Sequence, residues 1–192
     1  SAITAIDGEE KTGEQKRLIY TGDLGRFHLP ILRDPEIPEG ADALIIESTY
    51  GGRKHSDIQN VESELGALVR RVADRGGKII VPSFSVGRSQ ELVYSLRNLW
   101  ARGEMPDIPV FVDSPLAVNA TEIFRHHQEC FDEEAKKMIL NNDDPFGFGK
   151  LEYVRNVERS KELNSLRKPC IIISASGMCE NGRILHHLRN NI

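Results

Sequence analysis

Short apolar runs alternate with segments of helical periodicity along the chain. The apolar runs predict β-strands at 18–21, 43–46, 78–82, 108–112, 151–154 and 170–173. The periodic segments predict helices at 89–100, 115–127, 132–140, 158–166 and 183–190. Strands that alternate with helices are typical of an α/β protein built around a largely parallel sheet. The pattern therefore predicts this fold class.

The clearest helix follows the second predicted strand. Its apolar residues recur at three- and four-residue spacing and fall on one face: Ile58, Val61, Leu65, Leu68, Val69 and Val72. Ser56 and Gln59 form a capping-box signature before it, and Gly76-Gly77 predicts its end. The segment therefore predicts an amphipathic helix.

Composition and charge narrow the class of protein. The chain has 192 residues, 39% hydrophobic and 28% charged, which suits one substantial globular core. A formal net charge of -4 argues against binding to nucleic acid by bulk charge, although a local basic groove stays open. Three cysteines without CxxC pairing favour a reducing, cytoplasmic compartment. No stretch approaches the roughly 20 apolar residues of a membrane span, so no membrane partner is expected.

Small polar or acidic residues follow most of the predicted strands. They are Asp23, Glu47, Ser48, Ser83, Ser85, Asp113, Ser114, Ser174 and Ser176. Because the carboxyl ends of parallel strands lie at one edge of a sheet, we expect these groups to converge on a ligand-binding crevice. The simpler interpretation of Ser114, which precedes Pro115, is a helix N-cap.

Asp23 is the most informative of these residues. It follows an apolar strand and lies between Gly22 and Gly25, whose lack of a side chain lets a ligand approach closely. A carboxylate presented in this way is a candidate metal ligand, but no His-x-His or His-x-x-x-His run accompanies it. Asp23 therefore either caps a turn or has partners outside this chain.

Two stretches, 83–90 and 174–183, combine a strand end, a glycine turn and a helix start that carries an arginine, Arg88 or Arg183. Free N–H groups at helix amino ends bind anions, and a neighbouring arginine adds a bidentate phosphate contact. The pattern therefore suggests two phosphate clamps. An arginine at a helix start is also common on protein surfaces, so both interpretations stay open.

Two further features have structural explanations. Phe146 and Phe148 lie in a polar loop, where the favoured role is to anchor the loop on the core and the alternative is to stack on a base. The doublets His126-His127 and His186-His187 lie on predicted helices, where neighbouring residues do not share a face. A metal ion shared within either doublet is therefore not expected.

Five segments together resemble the β-CASP branch of the metallo-β-lactamase superfamily, whose members include RNA-processing nucleases. The segments are YTGD (20–23), IIESTYG (45–51), VPSFSVGRSQE (81–91), DSPLA (113–117) and SASGM (174–178) followed by GRIL (182–185). The resemblance spans essentially the whole chain and depends on their order. It implies a Rossmann-like, largely parallel sheet flanked by helices, with a small remnant of a metallo-β-lactamase αββα domain.

The resemblance also implies roles for individual residues. Asp23 matches the aspartate that bridges two zinc ions, and Glu47 matches the acidic residue that orients a catalytic histidine. The groups expected to hold the RNA backbone are Ser83, Ser85, Arg88, Ser176 and Arg183. The reaction implied is two-metal hydrolysis of a phosphodiester bond, with zinc as the cofactor and RNA as the substrate.

The family's histidine motifs are not found in this sequence. The chain is therefore expected to be an internal fragment, inactive and free of zinc in isolation. Residues 1–50 would be the end of the lactamase-like domain, and residues 51–192 a β-CASP domain truncated at its C-terminal end. Two alternatives stay open: a self-contained RNA- or nucleotide-binding module without catalysis, and a scaffold that mediates homodimerisation.

Overall fold

The computed structural model describes residues 3–53 and 61–192 and contains two separate β-sheets. The first sheet has the strand order β1-β2-β3, formed by Thr4–Glu9, Gln15–Tyr20 and Ala43–Ile45. β1 and β2 are antiparallel, whereas β2 and β3 are parallel, with Ile19 opposite Leu44. The chain thus crosses over between β2 and β3 through a segment that contains Pro30, Pro35 and Pro38.

The second sheet is entirely parallel. Its order is β4-β7-β5-β6, formed by Lys78–Pro82, Cys170–Ser174, Val110–Val112 and Leu151–Tyr153. β7 lies between β4 and β5, with Ile171 opposite both Ile79 and Val110. All five residues of β7 are buried, as expected for a central strand covered on both faces.

Helices connect and cover the second sheet. They are α1 Val61–Asp74, α2 Arg88–Ala101, α3 Pro115–His126, α4 Glu133–Leu140, α5 Val157–Ser165 and α6 Ile184–Asn191. Across the described part of the chain, none is long and apolar enough to cross a membrane. The sheet with its helices confirms the predicted α/β class.

Alternation along the central strands divides the core into two clusters. Ile171 and Ile173 of β7 point to the larger cluster, which also contains Val69 of α1 and Leu96 of α2. Cys170 and Ile172 point to a smaller cluster with Phe111, Val154 and Leu163 of α5. Helices therefore pack on both faces, and Cys170 is a small core residue.

The α1 helix ends where the sequence predicts, and its predicted apolar face is only partly buried. The amide of Gly76 donates to the Ala73 carbonyl at 2.8 Å, and Gly76 has a φ of 73°, so the glycine pair stops the helix. Val69 is buried, but Leu68 is exposed. The predicted capping box at Ser56 and Gln59, together with Ile58, lies outside the described residues.

The loop between α4 and β6 carries the two predicted aromatic anchors. Phe146 is fully buried, and its ring lies against those of Phe124 and Phe131 at centroid distances of 5.8 and 6.0 Å. Phe148 packs on Trp100 at 5.7 Å. Both rings anchor the loop on the core, so the alternative of base stacking does not apply to them.

Candidate functional site

The turns that follow β2 and β3 bring Asp23 and Glu47 to the same end of the first sheet. The amide of Gly25 donates to Glu47 Oε1 at 2.8 Å, and the amide of Glu47 donates to Thr21 Oγ1 at 3.4 Å. Gly22 and Gly25 have φ angles of 54° and 76°, a region that favours glycine. The glycine-flanked turn around Asp23 therefore has the backbone geometry that its sequence suggests.

Hydrogen bonds fix the charge state of Glu47. The backbone amide of Gly25 and then the side chain of Thr49 hold the pKa of this carboxyl below its usual range. Glu47 is therefore ionised at neutral pH, and its carboxylate can only accept hydrogen bonds. It can orient a donor such as a histidine N–H group, but it cannot itself supply a proton there.

A cavity of about 1040 Å³ lies beside these two carboxylates. We call it the carboxylate cavity. Its lining residues include both acids, Asp23 and Glu47, three arginines, Arg26, Arg53 and Arg88, and two aromatic residues, Tyr50 and Phe84. Phe84 and Arg88 belong to the β4–α2 turn of the second sheet, so both sheets contribute to this cavity.

The described residues do not form a complete metal site. Within residues 3–53 and 61–192, no three His, Cys, Asp or Glu side chains lie together so that they could hold a metal ion. A catalytic zinc ion normally has three protein ligands. Asp23 therefore offers one suitable oxygen ligand, and the described residues do not supply the others.

A second cavity, of about 720 Å³, lies at the carboxyl edge of the parallel sheet. We call it the serine cavity, because Ser85, Ser114 and Ser176 line it. Ser114 caps α3 by accepting the Ala117 amide at 3.2 Å, as predicted, and its hydroxyl also lies 3.2 Å from that of Ser85. The convergence predicted for all strand ends is therefore divided between two cavities, because the strands form two sheets.

Ser83 differs from its predicted role in substrate binding. Ser83 is 1% exposed, and its hydroxyl lies 3.0 Å from Ser89 Oγ and donates to the Phe84 carbonyl at 3.2 Å. A ligand in either cavity cannot reach it in this conformation. Ser83 supports the β4–α2 turn instead.

Arg88 is the more accessible of the two predicted phosphate-binding arginines. It is the first residue of α2, its side chain is 69% exposed, and it lines the carboxylate cavity. Its Nη1 lies 2.8 Å from Glu91 Oε2, an exposed pair that contributes little to stability. The guanidinium can therefore exchange this carboxylate for a phosphate at low cost.

Arg183 differs from the expected free phosphate clamp. Its Nη1 donates to Asp113 Oδ1 at 2.6 Å, and its Nη2 donates to the Arg155 carbonyl at 2.8 Å. Asp113 is fully buried and also accepts from Ser160 Oγ at 2.5 Å and lies 2.6 Å from His187 Nε2. Arg183 therefore lines the serine cavity while its charge is paired with a buried carboxylate.

Two residues at or beneath the site were not identified from the sequence. Phe84 is 58% exposed and lines both cavities. His187 is buried, with Nδ1 at 2.9 Å from Asn164 Oδ1 and Nε2 against Asp113. Phe84 could have been found from the sequence as an aromatic residue between two serines in a predicted turn. His187 was considered only as half of a histidine doublet that could share a metal ion, and not as a buried partner of Asp113.

The chain is similar to one domain family and to several longer proteins. The Beta-Casp domain model matches residues 89–192. The chain is 36% identical over 180 residues to ribonuclease TTHA0252 of Thermus thermophilus, which covers 94% of the chain and 41% of that protein. It is 34% identical over 182 residues to an RNase J-like protein of Methanocaldococcus jannaschii, covering 91% of the chain and 40% of the relative.

A more distant match is the cleavage and polyadenylation specificity factor 73 of Drosophila melanogaster, 28% identical over 168 residues, 86% of the chain and 24% of that protein. The chain thus spans about two fifths, or less, of the length of these relatives. The matched domain covers more than half of the chain, from the second residue of α2 through α6. The chain belongs to the β-CASP family of the metallo-β-lactamase superfamily.

Proposed function

We propose that this chain is part of an RNA-processing ribonuclease that hydrolyses phosphodiester bonds, endonucleolytically, exonucleolytically or both. The observation that carries the proposal is the carboxylate cavity, in which Asp23 and Glu47 from one sheet face Arg88 from the other. Carboxylates suit metal binding, and an arginine suits a phosphate. The names of the relatives in Thermus and Drosophila, a ribonuclease and a cleavage factor, support RNA as the substrate.

The chain has two parts, and we assign each of them to a different domain of the proposed nuclease. We assign residues 1–50 to the end of a lactamase-like domain and residues 51–192 to the β-CASP domain. The first sheet ends at Ile45, and the parallel sheet begins at Lys78. Asp23 and Glu47 then belong to the lactamase-like part, and Arg88, Ser85 and Ser176 to the part that covers the RNA.

Zinc is the metal that we propose for the complete enzyme, and Asp23 would be one of the residues that hold it. The described residues offer too few ligands to hold a metal ion, so the remaining ligands would come from other parts of the protein. When bound, the metal would activate water and stabilise charge on the phosphoryl oxygens. The three cysteines are free thiols, in agreement with a reducing compartment such as the cytoplasm.

The residues of this chain would position the RNA around that centre. Ionised Glu47 would accept a hydrogen bond from a histidine and so fix its ring, while Arg88 would contact a backbone phosphate. The hydroxyls of Ser85 and Ser176 line the second cavity and can bond to sugar or phosphate oxygens. Because phosphate and sugar contacts do not read bases, sequence preference from these groups should be small.

The second candidate function is an RNA- or nucleotide-binding module without catalysis. Arg88 favours this alternative, because its exposed guanidinium can bind a phosphate without a metal ion. Both functions predict binding of RNA or a nucleotide, so hydrolysis distinguishes them.

A chimaera tests the catalytic proposal directly. In it, this chain replaces the matching segment of the Thermus relative, with which it shares 36% identity. We expect the chimaera to cleave a labelled single-stranded RNA, and Asp23→Asn to lower kcat roughly 100-fold or more. Changes to residues that merely orient metal ligands already cost roughly 10- to 100-fold.

Asp107→Asn is the matched control. Asp107 is exposed and pairs with Lys150 at 2.8 Å, outside both cavities. This variant should retain the activity of the chimaera. A chimaera that melts cooperatively and binds RNA but does not cleave it would favour the binding module over the nuclease.

A further inference from the structure

Phe84 forms the wall between the two cavities. It contributes to the lining of the carboxylate cavity and of the serine cavity. More than half of its side chain, 58%, is exposed. An apolar ring that stays exposed between two cavities gives up the hydrophobic free energy of burial, and a ligand that covers the ring would recover it.

Hydrogen bonds to the Phe84 backbone and a neighbouring loop determine the position of the ring. The Phe84 carbonyl accepts from Ser89 Oγ at 2.7 Å and from Ser83 Oγ at 3.2 Å, and both serines are buried. Gly177 lies against the ring: a Cβ atom at this glycine would be 3.0 Å from two ring carbons. The backbone of one strand-end loop therefore supports the ring presented by another.

The groups around the ring match the parts of a nucleotide. On one side the carboxylate cavity offers the guanidinium groups of Arg53 and Arg88, which suit phosphates. On the other side the serine cavity offers the hydroxyls of Ser85 and Ser176, which suit sugar oxygens. A strand that contacts both cavities has to pass over Phe84, where a base is the remaining part to be placed.

We propose that Phe84 is the stacking platform for an unpaired base of the bound strand. This inference rests on the proposed RNA function and adds to it a defined contact between Phe84 and a base. Every base has a π-face, so stacking provides affinity without strict sequence selection. The two serines bond to the Phe84 backbone carbonyl and Gly177 lies against the ring, so part of the ordering needed to bind a base is already present.

The test compares strands that differ only in their bases. Fluorescence anisotropy would measure the affinity of the chain for a labelled oligoadenylate and for the same length of abasic strand. The wild type should bind oligoadenylate more tightly. Phe84→Ala should weaken that binding by about 5- to 100-fold and leave the abasic strand nearly unaffected, and Phe84→Leu should behave similarly because it keeps apolar bulk without a π-face.

Two variants and a control complete the test. Phe84→Trp should retain the preference for oligoadenylate, whereas Gly177→Ala should reduce it by displacing the ring. Ile123→Ala is the control, because this side chain is exposed on α3 outside both cavities. Thermal melting of each variant would verify that it is folded.

The outcomes separate this inference from the proposed function. If Phe84→Ala leaves oligoadenylate binding unchanged, or weakens both strands equally, Phe84 is not a stacking platform although the chain binds RNA. If the wild type binds neither strand, RNA binding by this chain fails, and the stacking inference fails with it.

Discussion

Asp113 carries a buried negative charge whose partners come from distant parts of the chain. Arg183 Nη1 lies 2.6 Å from its Oδ1, and Ser160 and His187 contact its Oδ2. Asp113→Asn would leave the partly buried guanidinium without its counter-charge. We expect the free energy of unfolding, measured by urea denaturation, to fall by about 3–5 kcal/mol. Asp107→Asn, which breaks an exposed pair, should cost at most about 1 kcal/mol.

The difference in stability between the wild type and Asp113→Asn should depend on pH. Burial alone would raise the pKa of Asp113, but hydrogen bonds from His187, Ser160 and Arg183 hold it below the usual 3.8. The stabilisation is therefore complete above pH 3.8 and is lost as the pH falls through the lowered pKa. Wild type and Asp113→Asn should converge in stability only in that acidic range. Convergence nearer neutral pH would contradict the lowered pKa.

At the scale of elements, the strands and helices of the parallel sheet were predictable from periodicity. β4 has its predicted bounds, Lys78–Pro82, because its apolar run ends at a proline. β1 was missed because Thr4–Glu9 contains Asp7, Gly8 and Glu9 and no apolar run. Periodicity did not predict the separation into two sheets, because it does not encode which strands pair; only the family resemblance implied two parts. The Phe84 ring lies against Gly177 of another loop, a contact that no local pattern reveals.

The loop between β7 and α6 depends on Gly182. Its φ is 80°, and a Cβ atom there would lie 2.4 Å from the Ala175 carbonyl oxygen. Gly182→Ala should therefore destabilise the fold by about 1–3 kcal/mol from the backbone conformation alone, and the clash adds to this. Because the loop carries Ser176, RNA affinity should fall as well. Gly8→Ala is the control, with nothing within 4 Å of its Cβ position; equal effects of both changes would contradict this role.

At the scale of the whole molecule, the two sheets differ in how well they are covered. Large apolar residues of the first sheet, and the residue directly after β3, are 50–56% exposed: Ile6, Tyr20, Leu44, Ile45 and Ile46. The central strand of the second sheet is buried throughout. Buried apolar contacts decide which regions resist local opening. The stability of the chain should therefore be concentrated in the parallel sheet.

Amide hydrogen exchange would test this uneven stability. We expect the amides of β5 and β7 to exchange last, through global unfolding, because both strands are hydrogen-bonded on both sides within the sheet. The amides of β1 and β3 should exchange much earlier, because each is an edge strand of a sheet with exposed apolar faces. In the chimaera with the Thermus relative, the first sheet should gain protection as its apolar side chains become covered. Equal protection of both sheets in the isolated chain would show that the first sheet is stable without further covering.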